Sequence, residues 1–322
     1  MVLDGDATSH RAFSDLPDLL QPDDLLVLNE TRVIRARLIG TRERTGSRVE
    51  LLLLHPCGSS WYDARAREWI ALAKPARRLR VGDRIGFGSL GHATVRAQLE
   101  AGMRDVRFEI DLPFEEFLAR AGRMPLPPYI HNDSAEAQER YQTVFARNPG
   151  SVAAPTASLH FTSALLGAIE RRGIEIARIS LDIGLGTFRP VTVESIEAHV
   201  MHEEAYTIEP PAATAIEGAR RSNRRIVAAG TTVVRALEGN FEAHGTVLAG
   251  RHVTGLFITP GFRFKRVDAM ITNFHLPRST LLMLVAAFAG RERILRAYAD
   301  AIARRYRFYS FGDAMLIFGK SA

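Results

Sequence analysis

Residues 143–161, TVFARNPGSVAAPTASLHF, and residues 179–190, ISLDIGLGTFRP, decide how this chain folds. In both, Gly, Pro, Ser and Thr gather where a strand pattern gives way to other structure, and SALLGAIERRG (163–173) between them has helical spacing. Loops of this kind hold ligands in open α/β sheets, because backbone N–H groups and helix N-termini converge at strand ends. Working outward, the chain alternates strand and helix from about residue 134. EIARISLDI (175–183), RRIVAAG (224–230), TGLFITP (254–260), AMITNF (269–274) and DAMLIF (313–318) read as strands. TVVRALEGNF (232–241), STLLMLVAAFAG (279–290) and RERILRAYADAIARRY (291–306) read as helices. Apolar strands separated by amphipathic helices predict an α/β fold with a doubly wound, largely parallel sheet.

From Arg32 to about Arg107 the pattern changes to short alternating runs broken by Gly-containing turns, as in ARLIGTRERTGSRVELLLL and WIALAKPARRLRVGDRIGF. Successive strands without a helical period predict a small antiparallel β-barrel. PFEEFLARAG (113–122) follows as a short helix and MPLPPYI (124–130) as an extended exit. The buried strand LLVL (25–28) precedes the barrel and would join the large sheet. The expected organisation is therefore a discontinuous α/β domain, 1–30 and 128–322, interrupted by an inserted barrel domain, 31–127.

The net charge of +6 is uneven. Residues 31–127 hold 18 Lys+Arg against 11 Asp+Glu, whereas the remainder holds 24 against 25. A basic excess confined to one module points to contact with a polyanion. The chain lacks GxGxxG, Walker and zinc-ligand spacings, which argues against ordinary dinucleotide or nucleoside-triphosphate chemistry. Cys57 is the single cysteine, so an internal disulfide and a multi-thiolate metal site are excluded. LLMLVAAFAG (281–290) is too short to span a bilayer, and the polar opening MVLDGDATSH does not read as a signal peptide. A cytoplasmic protein, monomeric and without membrane contact, is expected.

Polar residues at predicted strand ends are the candidate chemistry. His160 lies just outside a helix N-terminus, in the loop containing Pro155 and Thr156, where a positive dipole keeps an imidazole neutral and suited to proton transfer. Asp182, Gly184, Gly186 and Thr187 follow another strand, with glycines that permit close backbone approach. His199, His202 and Glu203 share one short stretch. The two histidines at i,i+3 could face a metal together, but no third ligand set lies nearby, and acid/base or hydrogen-bonding use is the better reading. Thr231 and Thr232 open a helix and form a nest for a carboxylate, ribose or phosphate. His275 and Arg278 sit at the mouth of an apolar helix, and Asp313 opens the last strand.

Taken together, DDLLVLNETRVIRARL, MPLPPYI, ERYQTVFARNPGSVAAPTASLHFT, IGLGTFRPV, EAHVMHEE, AAGTTVVRALE and DAMITNFHLPRSTLLMLVAAFAG with YRFYSFGDAMLIF closely resemble the S-adenosylmethionine:tRNA ribosyltransferase-isomerase family of queuosine biosynthesis. They run in order from about residue 13 to the end. The resemblance implies a barrel inserted in an α/β domain. It also implies transfer of the ribosyl part of S-adenosylmethionine to the 7-aminomethyl-7-deazaguanine base of tRNA, giving epoxyqueuosine with release of adenine and methionine. S-adenosylmethionine would be the ribosyl-donor substrate, and no metal is implied. On this reading His160, His199, His202 and His275 contain the base and the proton donor, and Asp182, Glu203 and Asp313 would orient them or the sulfonium. Pro155, Thr156, Gly184, Gly186, Thr187, Thr231 and Thr232 would hold S-adenosylmethionine. Arg32, Arg35, Arg37, Arg123 and Arg278 would meet tRNA phosphates. Family members usually open earlier, so Met1 corresponds to an internal position and either a misassigned start or a missing strand is expected. They also commonly carry Gly at position 158 and His at position 182, where Ser158 and Asp182 stand. Two other readings are a tRNA-binding protein with impaired catalysis and ribosyl transfer to a free deazapurine.

Overall fold

The computed structural model describes residues 1–59, 62–127, 130, 134–182, 201 and 203–319. Its centre is the strand Leu25–Asn29, in which all five residues are buried. Leu25 and Val27 face a core shared with helices Pro210–Arg221, Thr231–His244, Thr280–Ala289 and Arg291–Ala303. Leu26 and Leu28 face the opposite core, with Phe161 and with Leu166 and Ile169 of helix Ser163–Arg171. A strand apolar on both faces needs cover on both, which is why helices lie on either side of the sheet.

The sheet has nine strands. Glu175–Asp182, Leu25–Asn29, Ile226–Ala229 and Ala269–Asn273 are neighbours in that order and run parallel. Antiparallel pairings extend the sheet on each side of these four. Glu204–Ile208 and Gly250–Thr254 flank Glu175–Asp182, and Ala314–Phe318 flanks Ala269–Asn273. Val2–Asp4 then pairs parallel with Ala314–Phe318, and Ala7–Ser9 completes that edge. The two short N-terminal strands, Glu204–Ile208 and helix Pro210–Arg221 had no counterpart in the sequence reading.

One predicted strand is misplaced. The sequence suggested 254–260, but the strand is Gly250–Thr254 and the following residues are irregular. Its partner strand begins at Glu204, opposite Thr254, so the ladder ends there. Beyond it, the Leu256 N–H donates to Thr254 Oγ1 (3.1 Å) and the Leu256 carbonyl accepts from Arg235 Nε (2.9 Å), which occupies the backbone groups a longer strand would need.

Between Leu25–Asn29 and the next parallel strand the chain forms a closed barrel. Its order is Arg37–Arg42, Arg48–Pro56, Glu68–Lys74, Met103–Glu109, His92–Gln98 and Arg84–Gly86, the last pairing back to the first. Alternation fills it: Leu51 and Leu53 are fully buried, and Trp69 stacks on Phe114 of helix Phe114–Ala121 at 5.3 Å between centroids. Arg42 and Asp83, both buried, form an ion pair at 2.6 Å that ties two barrel loops together. Burial alone would raise the Asp83 pKa. The Arg80 N–H and the Arg42 guanidinium more than offset this and hold it below the ordinary value of 3.8.

Arg42→Ala removes the buried cation paired with Asp83, leaving it the Arg80 N–H and the more distant Arg44 (3.8 Å), and is expected to lower the unfolding free energy by about 3 kcal/mol. Urea denaturation checks this, and an unchanged midpoint would show that the pair carries no such weight.

Candidate active site

The carboxyl ends of the four parallel strands lie along one rim of the sheet, at Asp182, Asn29, Ala229 and Asn273. Open α/β sheets bind ligands at that rim. Here the turn after Ile226–Ala229 passes through Gly230 at φ +109°, a conformation glycine adopts without a Cβ penalty. It leads into helix Thr231–His244, with Thr231 and Thr232 buried in the first turn. The 3₁₀ turn Thr156–His160 folds over this corner. A Cβ placed on Gly230 would lie 4.0 Å from the Ala157 Cβ.

The turn carries His160 to the end of the fourth strand, where its Nε2 lies 3.2 Å from Asn273 Nδ2. Phe13 stacks on the imidazole at 4.9 Å. Burial, assisted by the Arg307 cation and opposed by Asp313, lowers the His160 pKa below 6.5, so the ring is neutral at physiological pH. His160 and Asp313 both line a cavity of about 460 Å³, with Arg11, Phe13, Tyr306 and Arg307. The Asp313 carboxylate accepts from the Arg307 N–H (2.7 Å) and guanidinium (3.1 Å). Burial would raise its pKa, but these bonds and the Arg307 charge hold it low and keep it ionised.

The two orientations of the Asn273 amide correspond to the two proton roles of His160. With Nδ2 toward the ring, Nε2 accepts and the proton resides on Nδ1. Turned over, Oδ1 accepts from Nε2–H and the Nδ1 lone pair is free to act as a base. In the first orientation Asn273 Oδ1 is buried without a hydrogen-bond partner among the described residues, as are Asn29 Nδ2 and Ser158 Oγ. Buried polar atoms are normally paired.

His275 follows the same strand end. Its Nε2 bonds Thr272 Oγ1 (2.8 Å), its N–H donates to Tyr298 Oη (2.8 Å), and burial depresses its pKa to about 4. Asp182 and Glu203 lie away from His160 and His275. Strand order places Asp182 three strands from Asn273, roughly 14 Å away at normal strand spacing. Glu203 is exposed at the head of Glu204–Ile208, a strand further off. Asp182 instead lies beside Gly150 and accepts a bond from the Tyr62 N–H of the barrel (3.4 Å). Burial, partly offset by that bond and by Arg251, raises its pKa to about 6.

His199, His202, Gly184, Gly186 and Thr187 lie outside the described residues. Among the described residues no group of three or more His, Cys, Asp and Glu could hold a metal ion. Of the arginines, Arg32 and Arg35 line a second cleft of about 700 Å³ between the barrel and the α/β domain, with Tyr62, Glu115, Gln138 and Gln142. Arg37 is half-buried and already paired with Glu50 (3.0 Å). Arg123 is exposed on the short strand opposite Arg37, and Arg278 is exposed in the turn before Thr280–Ala289 at φ +56°. The sequence reading missed Asn29, Asn273, Phe13 and Arg307. Asn29 and Asn273 were open to the strand-end rule that selected His160, whereas Phe13 and Arg307 arrive only through tertiary packing.

The chain belongs to the queuosine biosynthesis protein family, whose profile matches residues 1–317. Its relatives include the S-adenosylmethionine:tRNA ribosyltransferase-isomerase of Symbiobacterium thermophilum, 53% identical over 312 residues and covering 97% of this chain and 89% of that one. The protein of the same description from Moorella thermoacetica is 53% identical over 316 residues, 98% of this chain and 90% of the other. The crystal structure of S-adenosylmethionine tRNA ribosyltransferase from Thermotoga maritima is 33% identical and covers 99% of this chain and 91% of its own, with a TM-score of 0.52.

Because the Asp182 pKa is raised from 3.8 to about 6, the folded state binds the extra proton between those values, and stability falls as pH rises through that window. Asp182→Asn is therefore expected to stabilise the protein by about 1–3 kcal/mol at pH 8. The gain should vanish near pH 4. Urea midpoints at the two pH values check the difference, and equal effects at both would refute it.

Proposed function

We propose that the chain is an S-adenosylmethionine-dependent tRNA ribosyltransferase-isomerase. It moves the ribosyl part of S-adenosylmethionine onto the 7-aminomethyl-7-deazaguanine base of tRNA and releases adenine and methionine. The observation that carries this reading is His160, held by Asn273 at the carboxyl rim and sharing one cavity with Asp313. Family membership supplies the reaction class. Bound S-adenosylmethionine supplies an acidified ribose C5′–H beside its sulfonium and an adenine leaving group.

The residues divide the work. His160 takes up or delivers a proton at the ring nitrogen that Asn273 leaves free, and burial keeps the imidazole neutral at physiological pH. The ionised Asp313 faces the same cavity and favours positive charge there, which suits an imidazolium or a sulfonium. Thr231 and Thr232, with the N-terminus of their helix and the loop containing Pro155 and Thr156, hold the carboxylate or ribose. The buried edges of Asn29 and Ser158 take further polar groups. The interdomain cleft admits the tRNA base, with Arg32 and Arg35 at the phosphates. The α/β domain, 1–30 and 128–322, thus carries the chemistry, and the barrel, 31–127, carries the nucleic acid. No helix among the described residues is long and apolar enough to cross a membrane. A monomer acting in the cytoplasm fits this reading.

Adenine release from S-adenosylmethionine, with and without tRNA bearing the aminomethyl-deazaguanine, tests the proposal. Release that depends on the tRNA is expected, whereas tRNA binding without release would indicate a binding protein instead. His160→Asn should reduce turnover by about 10²–10⁴-fold. Since the His160 pKa is lowered, the wild-type acid limb should fall below the ordinary imidazole value of 6.5. Full activity in the variant would remove His160 from the mechanism.

A further inference from the structure

The end of the barrel away from the interdomain cleft carries its own group of cations. Tyr62, Glu115 and Ala119, which line the cleft, belong to one end of the barrel. The opposite end is set by strand register. Lys74 lies across from Glu50 and Met103 across from Leu72, so the turns after Arg42, Lys74 and Gln98 all emerge there. The seven-residue strand Glu68–Lys74 separates the two ends by roughly 20 Å.

The loop that leaves this strand reads Lys74-Pro75-Ala76-Arg77-Arg78-Leu79-Arg80, four cations in seven residues. Lys74, Arg77, Arg78 and Arg80 are exposed, and none of their side chains has an acidic partner among the described residues. Arg48, on the neighbouring hairpin, is in the same condition. Several other barrel cations are paired with acids where they stand: Arg37 with Glu50, Arg42 with Asp83, Arg84 with Glu43 and Arg96 with Glu68.

The loop is also fixed from beneath. Leu79 is buried, and its carbonyl accepts from Gln98 Nε2 (3.0 Å) and Arg104 Nε (3.2 Å). The buried Arg104 guanidinium also donates to the Ala76 carbonyl, and Asp83 accepts from the Arg80 N–H (2.6 Å). A buried cation is thus used to hold a loop of exposed cations in one conformation. Like charges gathered on one loop repel, and a bound anion relieves that repulsion.

We propose that this far end of the barrel, the 74–80 loop with Arg48, is a second phosphate-binding surface that seats the RNA backbone flanking the reacting nucleotide. The inference rests on the tRNA reading above. It adds that recognition extends past the modified base along the nucleic acid. Guanidiniums and an ammonium without base-reading partners suit backbone contacts, which set register and affinity more than sequence. A substrate reduced to the anticodon loop would not reach this surface.

The test is binding of an unmodified tRNA transcript across a salt series. Arg77→Ala combined with Arg78→Ala should weaken binding on the order of tenfold and reduce the slope of log K against log salt by about 1.4–1.8. Arg77→Lys with Arg78→Lys should restore most of both, because the charge remains. Arg171→Ala with Arg221→Ala, exposed on the α/β domain, should leave the slope as in the wild type. With an oligonucleotide of the anticodon loop alone, the Arg77/Arg78 alanine variant and the wild type should bind equally. An unchanged slope in the Arg77/Arg78 alanine variant, or an equal loss in the Arg171/Arg221 variant, would overturn the surface. The readout needs no ribosyl transfer, so failure of the enzymatic reading would show separately, as absence of tRNA-dependent adenine release from wild-type protein.

Discussion

The structure depends most on one short crossing. After the central strand ends at Asn29, the chain runs through Thr31–Val33 into the barrel, and it returns through Asn148–Ser151. These two segments pair with each other in parallel. The Ile34 N–H donates to the Ser151 carbonyl, the Arg147 N–H to that of Glu30, and the Leu181 N–H to Thr31 Oγ1. Gln142 grips both backbone groups of Val33. Outgoing and returning strands therefore fix one another and the end of a third, Glu175–Asp182. Two soft dihedrals per residue would otherwise leave such a junction free to swing. Locked in this way, the barrel has a defined position relative to the catalytic rim.

The two domains use charge in opposite ways. In the α/β domain buried ions are paired: Arg235 with Glu204 at 2.6 Å, and Arg225 with Asp24 through two bonds. The Glu238 carboxylate caps three N–H groups at Lys265, Arg266 and Val267. Such groups hold loops in place, because leaving any one partner alone in a low dielectric is costly. In the barrel, the buried Arg42 and Arg104 have the same architectural role, and many of the other arginines are displayed at the surface. An excess of displayed charge does little for folding and favours a polyanionic ligand.

At the rim, reactivity comes from withholding charge. His160 and His275 are both neutral through burial, whereas Asp313 is kept ionised by Arg307. A neutral imidazole close to an anion gains a proton readily when substrate chemistry demands it, and the surrounding dipoles are already oriented. Asn29, Ser158 and Asn273 each retain a buried polar atom without a hydrogen-bond partner among the described residues, a state that a bound polar ligand would relieve.

The amino-acid sequence by itself determined what depends on neighbours along the chain. The alternation of helix and strand, the switch to antiparallel runs after Arg32 and the placement of His160 at a helix mouth all follow from periodicity and turn chemistry. These act over a few residues. Tertiary structure decided what depends on strand order and closure. It brought Asn273 to His160 across 113 positions and carried Asp182 and Glu203 away from them. It also ended the strand at Thr254 because its partner begins opposite, and it sent the 74–80 loop to the far end of the barrel. Hydrogen-bond pairing between distant strands leaves no local imprint on the residues that pair, since the same apolar alternation serves any neighbour of suitable length.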